Sequence, residues 1–306
     1  MADQVTKNPA IRQGWLRVLI FGAVLFAVTT ILVLLIVFPL LLAQTGGTPD
    51  QIKSNLSGYL VQLGSGNYLW VIFAIEFAAA FISVWVCRKW IDRKSWTSLG
   101  WTSEGFGSEA AAGLFMGPAL LGITAILLLV TGHLEWTDII WDPSSLFISL
   151  GMMVLIAFSE EVIFRGYILS NLLESFSNKW LALGISAILF AALHFGNPGI
   201  SALAVVNLFL AGLLLGINYI YTRNLWFSIL FHFSWNFFQG PILGCRVSGL
   251  SLPSLLQSEV KGDMLVTGGD FGLEGSILNT LMSVIAILIL IWAFTRKYRS
   301  ASVATA

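Results

Sequence analysis

Residues 18–43, VLIFGAVLFAVTTILVLLIVFPLLLA, run for 26 positions without a charged side chain. A bilayer core of about 30 Å takes roughly 20 apolar residues as helix. The apolar region of a cleaved signal peptide spans only about 7–15 residues. The run therefore reads as a retained membrane-spanning helix. Further apolar runs lie near 68–87, 110–130, 146–164, 180–195, 201–221, 225–238 and 277–294. They predict eight transmembrane helices in an all-α polytopic membrane protein. Gly/Pro punctuation separates several of them: Gly46-Gly47-Thr48-Pro49, Asn197-Pro198-Gly199 and Gly240-Pro241.

Composition agrees. Of 306 residues 57% are hydrophobic and 10% charged, against roughly 25% charged in an average globular protein. Mean hydropathy is +0.85. Sixteen basic and sixteen acidic residues cancel, so no net field points to nucleic acid. Basic residues orient the chain. With the N-terminus inside, cytoplasmic segments carry 12 of them: Lys7, Arg12, Arg17, Arg88, Lys89, Arg93, Lys94, Lys179, Arg223, Arg296, Lys297 and Arg299. External loops carry Lys53, Arg246 and Lys261. That bias predicts an even number of helices with both termini cytoplasmic. It also puts Cys87 and Cys245 on opposite sides of the bilayer, where no disulfide can join them. The connection 240–275 is the longest and is expected outside.

A charge at mid-bilayer costs about 2.5–3.5 kcal/mol, which makes intramembrane ionisable residues functional candidates. They are Glu76, then Glu160, Glu161 and Arg165 in the fourth helix, His194 ending the fifth, and His232 in the seventh. If the fourth helix runs on to a turn near Ser177, Glu160 and His194 each lie 17 residues from that turn. Both then stand about 25 Å above it, level on antiparallel neighbours. His232 and Asn236 are i and i+4, on one face of their helix. Glu, two His and Asn can thus meet in one polar pocket.

Each member alone has an ordinary reading. Glu161 and Arg165 could pair at an interface, a lone His could bond between helices, and Asn236 could be helix–helix glue. The conjunction carries the argument. Glu76 has no partner by sequence, and a structural or lipid-facing role is expected for it. His133, in a short external loop, is given no role.

A carboxylate beside a histidine can activate water as a general base. A second histidine with an asparagine can donate hydrogen bonds to the oxyanion formed when water attacks a carbonyl. This equips a site for amide hydrolysis without a covalent intermediate. A serine or cysteine mechanism fits worse: Ser159 and Ser234 lie nearby without a triad order, and both cysteines are remote. The competing assignment is zinc held by Glu160, His194 and His232 with Glu161 as base. The sequence lacks the His-Glu-x-x-His helix of such sites, and no cofactor is preferred.

The three segments resemble the motifs of the CPBP intramembrane proteases, the CAAX-protease, bacteriocin-processing and Abi-like family. Its pattern is EExxxR, then FxxxH, then HxxxN or HxxxD. Glu160-Glu161 with Arg165 matches the first, Phe190 with His194 the second, and His232 with Asn236 the third. Arg165-Gly166-Tyr167 and the loop 268–274, GGDFGLE, also look like bacterial members. The resemblance covers about 145–294, and residues before Ser95 match only in general layout. It implies an eight-helix fold with the site in a cavity within the membrane. It further implies that Glu160 and His194 activate water, that His232 and Asn236 stabilise the oxyanion, and that Glu161 and Arg165 support them.

The chain accordingly divides into an N-terminal transmembrane pair with basic cytoplasmic flanks, 1–100, and a protease core, 101–306, with its motif region at 145–294. The expected activity is endopeptidase cleavage of a membrane-anchored peptide or protein, with the bilayer and that substrate as partners and no nucleic acid. The expected location is a bacterial plasma membrane. A proton-coupled carrier and a non-catalytic immunity or anchoring protein are the competing functions. Carriers commonly show internal repeats, and none is visible here.

Overall fold

The computed structural model describes residues 8–45 and 69–303. The punctuation at 46–49, the helix start at 68, and Lys7 and Lys53 lie outside the described residues. Among the described residues eight main helices follow one another. They are α1 (Gly14–Leu32), α2 (Leu69–Cys87), α3 (Gly107–Val130), α4 (Pro143–Glu161), α5 (Lys179–Leu193), α6 (Ala202–Thr222), α7 (Trp226–Phe237) and α8 (Ile277–Val303). Helix α1 continues through a π-helical turn, Val33–Val37, into Phe38–Thr45. Helix α4 continues through a π-helical segment, Val162–Leu169, into Ser170–Ser175.

Six of the rods are long and apolar enough to cross a membrane, so the chain is a polytopic, predominantly helical membrane protein. The exceptions are α5 and α7. With 15 residues, α5 is about 22 Å long at 1.5 Å per residue, short of the full bilayer core. The sequence accounts for the helix starts. Asp142 accepts hydrogen bonds from the backbone N–H groups of Ser144 and Ser145, with Pro143 in the first turn of α4. Asn178 caps α5 and Ser201 caps α6 in the same way.

The loop 240–275 is more ordered than an all-α reading anticipates. Strand β1 (Leu134–Ile139) pairs antiparallel with β2 (Leu256–Val260), closing a ribbon between the α3–α4 connection and that loop. The register pairs Leu134 with Val260 and shifts between Trp136 and Asp138. Cys87 and Cys245 are both buried and free.

Packing fixes where α5 and α7 stand. Helix α7 lies against α3 and α4, while α5 lies against α6. A Cβ on Gly212 of α6 would come 2.7 Å from Ala187 Cα of α5, and one on Gly113 of α3 would collide with the Phe227 carbonyl of α7. Small residues thus let the backbones close up, the usual route to tight helix pairs in lipid. One core runs from Val18 and Phe21 of α1 through Leu169, Phe190 and Phe231 to Phe294 of α8.

A buried ionic knot ties α1, α2 and the continuation of α4. Asp92 receives Arg88 Nη1 at 2.9 Å and lies 3.6 Å from Arg17 Nη1, and the Tyr167 hydroxyl donates to it at 3.1 Å. Arg17 also pairs with Glu174 at 2.8 Å, and Lys94 pairs with the same carboxylate. Some of the basic residues read from the sequence as orienting signals therefore also bind the first helices to the continuation of α4.

Candidate active site

Glu160 and Glu161 stand at the end of α4, where the chain passes into the π-helical segment. A π turn adds a residue to the helical repeat and redirects the helix beyond it, and such turns are frequent at functional sites. Glu161 is wholly buried. Its Oε1 accepts from Arg165 Nη1 at 2.8 Å and from His232 Nδ1 at 2.9 Å. Arg165 is also buried; its Nη2 donates to the Gly212 carbonyl at 3.0 Å, and its guanidinium lies 4.8 Å from the Phe190 ring. A buried arginine is tolerable only with such partners.

His194 immediately follows the last residue of α5. Its Nδ1 lies 2.9 Å from the Phe190 carbonyl. A carbonyl only accepts, so Nδ1 carries the proton. In neutral His194 the lone pair is then on Nε2, 3.8 Å from Glu160 Oε2. That separation is too long for a direct hydrogen bond and suits one bridging water. Glu160 Oε2 has no hydrogen-bond partner among the described residues. For His232 the Nδ1 contact to Glu161 leaves Nε2 as the free ring nitrogen. Asn236 stands one turn further along α7 and is buried.

These four side chains adjoin two cavities. One, of about 330 Å³, lies between α1, α2, α4 and α5, lined by Leu25, Thr29, Phe73, Glu76, Ile156 and Glu160, among others. The other, of about 60 Å³, lies between α5, α6, α7 and α8, lined by Asn207, Leu208, Phe231, Trp235, Glu274 and Asn279, among others. His194, His232, Asn236 and Ser248 line both. The predicted residues Glu160, His194, His232 and Asn236 thus come together, and Glu161 and Arg165 lie behind them. Among the described residues, no group of three or more His, Cys, Asp or Glu is arranged to hold a metal ion.

Three features were invisible in the sequence read residue by residue. Glu76, an exposed side chain, lines the larger cavity. The loop 246–249 folds back over the site, where Asn197 Nδ2 donates to the Ser248 carbonyl at 3.1 Å. Glu274 holds the same loop. Its Oε2 accepts from the Ser248 backbone N–H at 2.6 Å and hydroxyl at 2.8 Å, and Oε1 accepts from Trp235 Nε1 at 3.1 Å. Burial pushes the Glu274 carboxyl above its ordinary range, against the opposing pull of the Ser248 bonds. The signal in the sequence for Glu274 is the likeness of the 268–274 stretch to bacterial members. His133 contacts the Thr131 hydroxyl at 2.9 Å and lies apart from the site.

Comparison with known proteins bears on the same segment. Residues 142–238 match the family model described as Type II CAAX prenyl endopeptidase Rce1-like. No curated protein and no solved structure matches the chain. The matched segment contains Glu160, Glu161, Arg165, Phe190, His194, His232 and Asn236. Over residues 142–238 the chain is thus similar to the Rce1-like type II CAAX prenyl endopeptidases.

Proposed function

We propose that the protein is an intramembrane endopeptidase that hydrolyses a peptide bond of a membrane-associated protein or peptide with water activated by Glu160 and His194. The observation that carries this reading is the 3.8 Å gap between Glu160 Oε2 and His194 Nε2, with the other His194 nitrogen already committed to Phe190. Water held there gives up a proton to this pair as its oxygen attacks the scissile carbonyl. The carbonyl oxygen becomes an oxyanion beside Asn236 Nδ2 and His232 Nε2. His232 donates from Nε2 when protonated, a form that the Glu161 carboxylate on Nδ1 favours. The proton taken from water then passes to the leaving amine as the C–N bond breaks. No covalent intermediate is needed.

The mechanism is proposed as metal-free. Glu161 is engaged with Arg165 and His232 and faces away from the role of base that a zinc site on Glu160, His194 and His232 would require of it. A chelator that abolishes cleavage, with zinc restoring it, would overturn this. The proposed topology is eight passes with both termini cytoplasmic, in a bacterial plasma membrane, supported by the 12 to 3 bias of basic residues. Reporter fusions at the two termini test it.

The decisive experiment is cleavage of a membrane-anchored peptide by purified protein. Glu160→Ala and His194→Ala should each abolish cleavage. Retained cleavage by folded Glu160→Ala would exclude the mechanism.

A further inference from the structure

Glu76 is the eighth residue of the 19-residue helix α2 and stands among Ile75, Phe77, Ala78 and Ala79. A carboxylate at that depth is costly, and among the described residues no cation or hydrogen-bond donor pairs with it. Its side chain lines the same cavity as Glu160, and the two carboxylates interact electrostatically there. Much of the surrounding wall is apolar, including Leu25, Phe73 and Ile156. The permanently basic side chains nearest in sequence, Arg88 and Lys89, lie at the far end of the helix, where Arg88 is committed to Asp92. Two carboxylates, Glu76 and Glu160, thus share one side of the cavity, with His194 and His232 also in its lining.

We propose that Glu76 is a specificity-determining residue, and that the cavity on the Glu160 side takes a substrate segment carrying a lysine or arginine close to the scissile bond. The basic side chain fits both features of the wall. Its methylene stem lies along Leu25, Phe73 and Ile156 while its charged head meets Glu76. The substrate cation then supplies the counter-charge that the protein does not, so the cost of Glu76 falls when a cognate substrate is bound. A negatively charged segment is disfavoured by the same two carboxylates. This inference rests on the peptidase reading and specifies the substrate class of that site.

The test uses membrane-anchored peptides in matched sets. A single position, scanned over three residues on each side of the cleaved bond, carries lysine, norleucine or glutamate. For wild type, at least one position should favour lysine over norleucine by about tenfold or more in kcat/KM. Glu76→Gln should bring that ratio to about one, and Glu76→Lys should favour glutamate there instead. Equal ratios in wild type and Glu76→Gln would overturn the proposal. So would a wild type indifferent to lysine at every position, a result independent of how the variants fold. A parallel arm separates this proposal from the peptidase reading. The same peptides with a photo-crosslinker are bound to Glu160→Ala and to Glu160→Ala/Glu76→Gln protein. Lysine-dependent crosslinking that disappears with Glu76→Gln supports the subsite even if no cleavage is found. Lysine-independent crosslinking refutes it even if cleavage is robust.

Discussion

His232 Nδ1 lies 2.9 Å from Glu161 Oε1, a bond that joins α7 to α4 behind the cavity. The same oxygen holds Arg165, so the second glutamate of the pair both orients His232, the proposed oxyanion donor, and compensates a buried cation. The first glutamate, one residue earlier, is left free to face the cavity. Two adjacent carboxylates thereby occupy different environments, and the proposed chemistry of Glu160 separates from the proposed support by Glu161.

Glu161→Ala should be damaging in two ways. It strands buried Arg165 without its counter-charge, a loss of about 3–5 kcal/mol. It also frees the His232 ring. Thermal unfolding in detergent should show a marked fall in Tm, and cleavage should be lost even below the new Tm.

Asn236→Ala removes one proposed oxyanion donor without touching the Glu161–Arg165 pair. Cleavage should fall by about 10²- to 10³-fold in kcat, with KM little changed and Tm close to wild type. A rise in KM at unchanged kcat would mean that Asn236 binds the ground state instead.

Glu274 fastens the Ser248 loop, and its carboxyl is raised from the ordinary 4.5 by burial. For an acid with a raised folded-state pKa, the penalty is absent below pH 4.5. It grows as pH rises until the shifted value is passed. Glu274→Gln cannot ionise. The stability of wild type relative to Glu274→Gln should therefore decline as pH climbs above 4.5, read as the difference between their unfolding midpoints across a pH series.

Asp92→Ala should leave Arg88 buried without its counter-charge and Arg17 with Glu174 alone. A destabilisation of about 3–5 kcal/mol is expected, measured by thermal melting. The knot lies apart from the cavity residues, so activity per folded molecule should change far less than stability.

Much of the site was legible because charges in apolar helices are few. Once α4, α5 and α7 were recognised as helices, counting 1.5 Å steps from the turn near Ser177 already levelled Glu160 with His194. The turn lies between Ser175 and Lys179, close to that estimate. Glu76 was legible as an anomaly and illegible as a cavity residue. Glu274 was legible only as part of the 268–274 stretch.

The sequence by itself determined that the chain is a helical membrane protein, and which polar residues are candidates for chemistry, because both follow from where charge is absent or out of place along one dimension. Tertiary structure alone decided that Glu161 holds His232 as well as Arg165, that Glu76 lines the cavity, and that Glu274 fastens the 246–249 loop. Helix periodicity defines the faces of each rod but not its rotation against neighbours. In lipid, the outward and inward faces of such rods are similarly apolar. That rotation is settled by close backbone contacts such as Gly212 against Ala187 and by the π-helical segment after Glu161, and neither is written in a hydropathy pattern.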